Sequence, residues 1–129
     1  MTDSEIMDKI VDCAMEVRSH LTPGFEEKVY QNAMFYEMTE RGLSVETEVS
    51  FQVKYKGHVV GTYRADILVE GCVIVELKAT AALLPINEVQ LVNYLTATGI
   101  DNGLLINFGS DKIEIRRRKR LYNKLNTDC

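Results

Sequence analysis

Residues 73–78 read Val-Ile-Val-Glu-Leu-Lys, and this short stretch decides how the rest of the chain is interpreted. Its apolar residues are typical of a strand that is covered on both faces near the centre of a sheet. Glu76 and Lys78 interrupt the apolar run two residues apart, so their side chains share one face of the strand. Because charged groups on a central strand need a partner or a ligand, this pair predicts a functional site.

The segment before this strand supplies a second carboxylate. Residues 59–69 predict another strand and residues 70–71 a turn, which brings Asp66 near Glu76 across the hairpin. A regular two-residue turn would pair Asp66 with Val75 and leave Glu76 on the opposite face. If both carboxylates are to reach one ion, we therefore expect an odd-numbered loop, a β-bulge or a local bend near Asp66.

Two carboxylates and a lysine on adjoining strands suit metal-assisted cleavage of a phosphodiester. The oxygens of Asp66 and Glu76 are ligands that Mg²⁺ or Mn²⁺ prefers. Such an ion polarises the phosphate and acidifies a bound water, while Lys78 orients that water or stabilises negative charge. The alternative is a Glu-x-Lys pair on the solvent-exposed side of an ordinary strand.

The second predicted helix, over residues 25–41, offers a third carboxylate. Gly24, Glu27 and Tyr30 recur three residues apart and lie roughly along one side of it, so Glu27 is a candidate for the same site. The alternative is an exposed acid, which is favourable near a helix N-terminus. The apolar spacing assigns one face of this helix to Phe25, Val29, Ala33 and Tyr36.

The third predicted helix, over residues 87–98, carries Gln90 and Tyr94 four residues apart on one face. Both residues also have local interpretations. Asn87 followed by Gln90 resembles a helix-capping pair, and Tyr94 is equally suited to core packing. Their contribution to a site therefore depends on where this helix packs.

The remaining elements complete an α, α, β, β, β, α, β, β order. They are a helix over residues 4–20, a half-buried strand over 45–55, a fully covered strand at 104–106 and a last strand beginning at 113. The three strands at 45–55, 59–69 and 73–79 predict an antiparallel meander. The chain of 129 residues fits one domain, residues 1–129, and needs no disulfide or structural metal to fold.

Charge is distributed unevenly along the chain. The net charge is −4, yet residues 112–124 carry seven Lys or Arg against one Glu. The candidate phosphate contacts are Arg64, Arg116, Arg118 and Arg120. The alternative is a charged edge strand that discourages aggregation. An acidic N-terminus and the lack of a long apolar run favour a cytoplasmic protein with no membrane segment.

Several motifs together resemble the GxxExxY protein family. They are Gly24 to Tyr30, Tyr55-Lys56-Gly57, Tyr63-Arg64-Ala65-Asp66, Val75-Glu76-Leu77-Lys78, Gln90 to Leu95 and Leu105-Ile106-Asn107-Phe108-Gly109. That family is similar to the PD-(D/E)xK nuclease superfamily. The resemblance implies a restriction-endonuclease-like α/β fold with an αβββαβ core, in which helices flank a mixed central sheet.

The resemblance also implies roles for individual residues. Glu27, Asp66, Glu76 and the backbone carbonyl of Leu77 correspond to metal ligands, and Lys78 to the catalytic lysine. Gln90 and Tyr94 resemble the QxxxY motif of exonuclease-type members.

The expected function is therefore a Mg²⁺- or Mn²⁺-dependent nuclease acting on DNA or RNA. The alternative is a non-catalytic nucleic-acid- or protein-binding module on the same fold. A homodimer or a larger complex is a further expectation, because many compact nucleases of this architecture act as pairs.

Overall fold

The computed structural model describes residues 1–121, which form three helices and five strands in the predicted order. The elements are α1 (Asp3–His20), α2 (Glu27–Glu40), β1 (Val45–Tyr55), β2 (His58–Val69), β3 (Val73–Lys78), α3 (Pro85–Thr98), β4 (Asn102–Asn107) and β5 (Glu114–Lys119). Within these residues, no helix is both long enough and apolar enough to cross a membrane.

The five strands form one mixed sheet in the order β1-β2-β3-β4-β5. The neighbours β3 and β4 are parallel, and the other pairs are antiparallel. The crossover from β3 to β4 contains α3, as a parallel connection requires. The mixed α/β fold and the central position of β3 are therefore as predicted. All six residues of β4 are buried, in agreement with a strand covered on both faces.

The helices cover opposite faces of the sheet. Buried side chains of α1 and α2 pack with Val75, Leu77 and Ile106 on one face, and those of α3 pack with Ile74 and Leu105 on the other. Consecutive residues of β3 thus enter different cores, which explains why this strand and β4 read as continuous apolar runs.

The apolar face assigned to α2 is not the face that is buried, although Ala33 packs partly against the core. Tyr36 is 72% exposed, and Phe25 and Val29 are also exposed, whereas the inward positions are Tyr30, Gln31, Met34 and Met38. Apolar residues occur around much of this helix, so periodicity alone does not fix which side turns inward. The contacts of Tyr30 at its start set the rotation of the helix.

The hairpin between β2 and β3 has a three-residue loop, Glu70-Gly71-Cys72, which is one residue longer than the turn at residues 70–71 and is the odd-numbered loop expected for a shared site. Val69 pairs with Val73, and Ile67 pairs with Val75. Glu70 and Gly71 both adopt positive φ, at 54° and 66°. The odd number of loop residues brings Asp66 opposite Glu76, which is the arrangement that a shared site needs.

Strand β2 also reverses its facing at Asp66. Tyr63 and Ala65 pack on the α3 side, but Ile67 packs on the α1 and α2 side, although a regular strand keeps alternate residues on one face. Pairing with β1 is recorded at Ala65 and at Ile67 and not at Asp66 between them. The residue opposite Asp66 in this register is Glu48, whose φ is 54°. The local bend expected near Asp66 is therefore present.

Candidate functional site

The site is built where β2 and β3 separate. Beyond the Ile67–Val75 pair, side chains replace the backbone ladder between the two strands. The backbone N–H of Leu77 donates to Oδ2 of Asp66 at 2.8 Å, and the backbone N–H of Asp66 reaches Oε1 of Glu76 at 3.4 Å. Each carboxylate is thus held by the main chain of the opposite strand, and the two acids lie side by side.

Burial and like charge both disfavour the ionised form of Glu76 beside Asp66. Burial, together with the neighbouring Asp66 carboxylate, raises the pKa of Glu76 to about 8. Hydrogen bonds from the Tyr63 hydroxyl and the Asp66 backbone oppose this rise. A positive charge placed between the two carboxylates would relieve both unfavourable terms, because it compensates for lost hydration and for like-charge repulsion.

Tyr63 is a site residue that sequence reasoning missed. Its hydroxyl donates to Oε1 of Glu76, and its ring stacks on Tyr94 with 3.8 Å between centroids and 7° between planes. Burial and the Glu76 carboxylate raise the pKa of Tyr63 well above its usual range, so the hydroxyl keeps its proton. Regular alternation from Asp66 would place Tyr63 on the wrong face, and only the reversal at Asp66 turns it towards Glu76.

Lys78 and Glu27 flank the carboxylate pair. Lys78 is half-buried, two residues beyond Glu76 on β3. Partial burial raises the pKa of Glu27, the Lys78 ammonium lowers it, and the Asp66 carboxylate raises it. Glu27 therefore lies within electrostatic reach of both groups, although its residue as a whole is exposed.

The start of α2, which carries Glu27, is fixed by the buried Tyr30. Its hydroxyl donates to the carbonyl of Thr22 at 2.6 Å and accepts the backbone N–H of Phe25 at 3.3 Å. Its ring stacks on Phe108, with 4.8 Å between centroids. Gly24, which lies between Thr22 and Phe25, has a φ of 119°. Residues with a side chain rarely adopt this backbone conformation. The Gly-x-x-Glu-x-x-Tyr spacing thus combines two positioning residues with one acid that faces the site.

Of the two predicted α3 residues, Tyr94 reaches the site and Gln90 remains exposed. Tyr94 stacks on Tyr63 and so supports the hydroxyl that bonds Glu76. The capping interpretation of Gln90 is wrong, because Asn87 is not the N-cap. The helix begins at Pro85, and the Asn87 side chain accepts the backbone N–H of Leu84 at 2.9 Å. Gln90 stands one helical turn before Tyr94, with its side chain open to solvent.

The four candidate arginines have acidic neighbours. Arg64 is exposed, and Glu48 lies 3.7 Å from it and 3.0 Å from Lys28. On β5, Arg116 and Arg118 pair with Glu114 and Glu88, and just after the strand Arg120 pairs with Asp101.

Arg116 is aligned with the site across the sheet. Its register partner is Leu105, which in turn lies opposite Glu76. At the usual strand spacing, Arg116 therefore lies about 10 Å from Glu76. The charges of Arg116, Arg118 and Arg120 are thus largely neutralised within the protein. Arg116 is the nearest of the three to the site in this register.

The loop from β3 to α3 is held by an asparagine that sequence reasoning also missed. Asn107 is fully buried, and its Oδ1 accepts the backbone N–H groups of Thr80 and Gly109 at 3.0 Å each. Its Nδ2 donates to the Thr80 carbonyl and to Glu114 at 2.9 Å each. Glu114 also accepts the backbone N–H of Leu83 at 3.0 Å. The segment that links Lys78 to α3 is thereby fixed at both of its ends.

The donor set fits a hard divalent cation. Asp66 and Glu76 supply carboxylate oxygens from adjoining strands, and the Leu77 main chain lies beside them. Within residues 1–121, no group of three or more His, Cys, Asp or Glu side chains converges on one metal position. The two strand carboxylates are therefore the central candidates, and Glu27 stands at the margin of the site.

Comparisons with known proteins agree with this architecture. A family model described as the PD-(D/E)XK nuclease superfamily matches residues 4–119. A solved structure described as "Crystal structure of SSO0001" is similar, with a TM-score of 0.61 and 19% identity, and the match covers 77% of this chain. This chain spans 52% of that protein's length, and at this identity the likeness supports the fold alone. No curated protein matches the chain.

Proposed function

Because this chain belongs to the PD-(D/E)XK nuclease superfamily, we propose that it is a divalent-metal-dependent nuclease that hydrolyses phosphodiester bonds of DNA or RNA. The observation that carries the proposal is the side-by-side placement of Asp66 and Glu76, each held by the main chain of the opposite strand. Burial and the neighbouring Asp66 carboxylate raise the pKa of Glu76, and carboxylates perturbed in this way are common at functional sites. The motif spacing further supports membership of the GxxExxY subgroup.

Each residue has a distinct role in this proposal. Asp66, Glu76 and the backbone carbonyl of Leu77 would hold Mg²⁺ or Mn²⁺, with Glu27 as an additional acid. When bound, the ion supplies Lewis-acid polarisation of the phosphate and acidifies a coordinated water. Lys78 orients the attacking water and balances negative charge that develops on the phosphate.

The aromatic and amide residues act around this centre. Tyr63 fixes the orientation of the Glu76 carboxylate through its hydroxyl. Tyr94 supports Tyr63 by stacking. Gln90, exposed one helical turn earlier, would contact the substrate in this proposal. Arg64, Arg116, Arg118 and Arg120 are the proposed contacts to the nucleic-acid backbone, with Arg116 nearest in register.

The test is cleavage in Mn²⁺ of single- and double-stranded DNA and RNA. Glu76→Gln and Lys78→Ala should each lower the rate by at least about a hundredfold, because each removes a group that acts on the reacting phosphate. Glu40→Gln, on the exposed surface of α2, is the matched control and should retain full activity. Cleavage that survives both site substitutions would come from another site or another protein.

The second candidate is a nucleic-acid- or protein-binding module without catalysis. It is favoured by the acidic partners of Arg116, Arg118 and Arg120, which reduce the positive charge available to a substrate. Calorimetry separates the two candidates. A nuclease site binds Mn²⁺ with an affinity that falls in Asp66→Ala, whereas a module of this kind binds its partner without the metal.

A further inference from the structure

The hairpin of β1 and β2 extends beyond the rest of the sheet as a ribbon, here called the hairpin arm (residues 49–65), whose base is partly buried and whose tip is open to solvent. Every residue from Lys54 to Thr62 is exposed. Because alternate side chains of a strand point to opposite faces, exposure of all of them means that both faces of the tip are open. The exposed side chains include Tyr55, Val59 and Val60, at 61%, 54% and 61%. Such apolar surface on both faces of a projecting ribbon indicates a contact surface.

The arm is an ordered ribbon. Strand pairing continues to Tyr55 and His58, and the tip is a two-residue turn at Lys56 and Gly57 with φ of 48° and 81°. Two positive φ values are the geometry of tight hairpin turns that match strand twist. From Phe51 to Tyr55 the ribbon extends for about 13 Å at the usual rise per residue. A partner therefore meets a preformed shape.

The charge of the arm is opposite to that of the rest of the protein. Residues 49–65 contain Lys54, Lys56 and Arg64 and no Asp or Glu, a net charge of +3. The whole chain carries −4, so the remainder carries −4 − 3 = −7. The Lys56 ammonium lies 5.4 Å from the ring centre of Tyr55, so cation and aromatic surface are presented together at the tip. This combination favours a polyanion with flat, partly apolar groups.

The base of the arm is part of the candidate site. Tyr63 belongs to the arm and donates its hydroxyl to Glu76. Phe51 stacks on Tyr63 with 6.2 Å between centroids, and Tyr63 stacks on Tyr94. The arm ends where pairing between β1 and β2 is interrupted at Asp66. A ligand lying along the arm is therefore led to the carboxylate pair.

We propose that the hairpin arm holds duplex DNA for the neighbouring site, an inference that rests on the proposed nuclease function. The major groove of B-form DNA admits a two-stranded β-ribbon, whereas that of A-form RNA is too deep and narrow for side chains to read. Lys54 and Lys56 contact backbone phosphates, and Tyr55, Val59 and Val60 supply apolar contact to base edges. Duplex DNA fits the arm better than a second copy of this chain, because one phosphate charge per about 1.7 Å of duplex axis is a much denser negative charge than the −7 spread over the remainder of a copy.

The test is fluorescence anisotropy of a labelled 20-base-pair DNA duplex in metal-free buffer between about 50 and 200 mM salt. The variant carries Lys54→Ala and Lys56→Ala. The matched control carries Lys9→Ala and Arg41→Ala, which remove two exposed cations from the helical side of the protein. We expect the arm variant to bind at least about tenfold more weakly at 0.1 M salt and its log–log salt slope to fall by about 2, since two phosphate contacts are lost. The control should match the unmodified protein.

Three results would overturn the arm inference. They are no duplex binding by the unmodified protein, equal binding by the arm variant, and an equal loss in the control. Unchanged DNA binding with increased self-association in size-exclusion chromatography would assign the lysines to protection of an edge strand instead. Equal effects of the arm variant on duplex RNA would contradict the choice of DNA.

Parallel Mn²⁺ cleavage assays separate this inference from the nuclease proposal. Cleavage by the unmodified protein together with full binding by the arm variant would support the nuclease proposal and contradict the arm inference. Arm-dependent duplex binding without any Mn²⁺-dependent cleavage would support the arm inference and contradict the nuclease proposal. Mn²⁺ calorimetry of the arm variant should match the unmodified protein, because the lysines do not belong to the carboxylate pair.

Discussion

Oδ2 of Asp66 accepts the backbone N–H of Leu77 at 2.8 Å, one residue past the carboxylate of Glu76 on the neighbouring strand. In a regular antiparallel pair, a backbone carbonyl would occupy this place. The side chain of Asp66 thus replaces a backbone hydrogen-bond acceptor where β2 and β3 separate. The same carboxylate that would bind a cation also closes the sheet, which couples the site to the stability of the fold.

Asp66 substitutions should separate these two roles. Asp66→Ala leaves the buried Leu77 N–H without its acceptor, and we expect a loss of about 1–3 kcal/mol in the free energy of unfolding, measured by urea denaturation. Asp66→Asn keeps an acceptor oxygen and should retain most of that stability. Both variants should lose Mn²⁺ binding in calorimetry, since both lack the charged ligand. Equal stability of the two variants would show that the Leu77 bond contributes nothing.

The stability of the metal-free protein should depend on Glu76 between about pH 4.5 and pH 8. The folded-state pKa of Glu76 is raised to about 8 from a reference of 4.5, so in this window the folded protein retains a proton that the unfolded chain releases. The free energy of unfolding therefore falls as pH rises, by at most about 1.4 kcal/mol per pH unit for one proton. The full contribution is present below the unfolded pKa and is lost as pH rises through the folded pKa.

Glu76→Gln tests this dependence, because the amide does not titrate. Urea denaturation at several pH values in the presence of a chelator should show a flatter profile for Glu76→Gln than for the unmodified protein. Glu40→Gln, an exposed α2 substitution, should keep the original profile. An identical slope in Glu76→Gln would assign the titration to another group.

Much of this architecture follows from local sequence signals. The alternation over residues 45–55 and the apolar residues of β3 predict strands because side-chain period and burial are linked. The strand over residues 45–55 matches β1 at both ends. Gly and Pro mark the turns and helix ends for similarly local reasons.

The details of the site depend on contacts between distant segments. The reversal at Asp66 is accompanied by a φ of 54° at the facing Glu48, which nothing in the local sequence demands of a glutamate. Tyr63 was missed for that reason, since strict alternation turns it away from Glu76. Asn107 was missed because its four hydrogen bonds depend on where the segment after β3 returns.

Tyr63→Phe should raise the pKa of Glu76 further. The tyrosine hydroxyl donates to the Glu76 carboxylate and favours its charged form, which lowers the pKa. Without the hydroxyl, the rise in pKa caused by burial and by Asp66 is less strongly counteracted. The phenylalanine ring preserves the stack on Tyr94. Side-chain ¹³C NMR of the glutamates against pH measures the shift, and Mn²⁺ binding should require a higher pH in this variant.

Tyr94→Phe is the matched control for the hydroxyl. It retains both aromatic rings and the Tyr63 hydroxyl that bonds Glu76. The Glu76 titration should therefore stay close to that of the unmodified protein. A larger shift in Tyr94→Phe than in Tyr63→Phe would mean that the hydrogen bond from Tyr63 does not control Glu76.

Gly109→Ala should destabilise the protein more than Gly61→Ala, because the main chain after β3 passes directly over Gly109. A Cβ at Gly109 would lie 2.4 Å from the Ala79 carbonyl carbon and the Thr80 nitrogen, whereas one at Gly61 meets no atom within 4 Å. We expect Gly109→Ala to lower the free energy of unfolding by about 1–3 kcal/mol and Gly61→Ala to change it little. The displaced main chain is the segment after Lys78 that Asn107 holds by hydrogen bonds. We therefore expect the metal-dependent cleavage rate to fall as well, measured at a temperature where the variant is folded. Equal stability of the two variants would show that this segment yields without disturbing the end of β3.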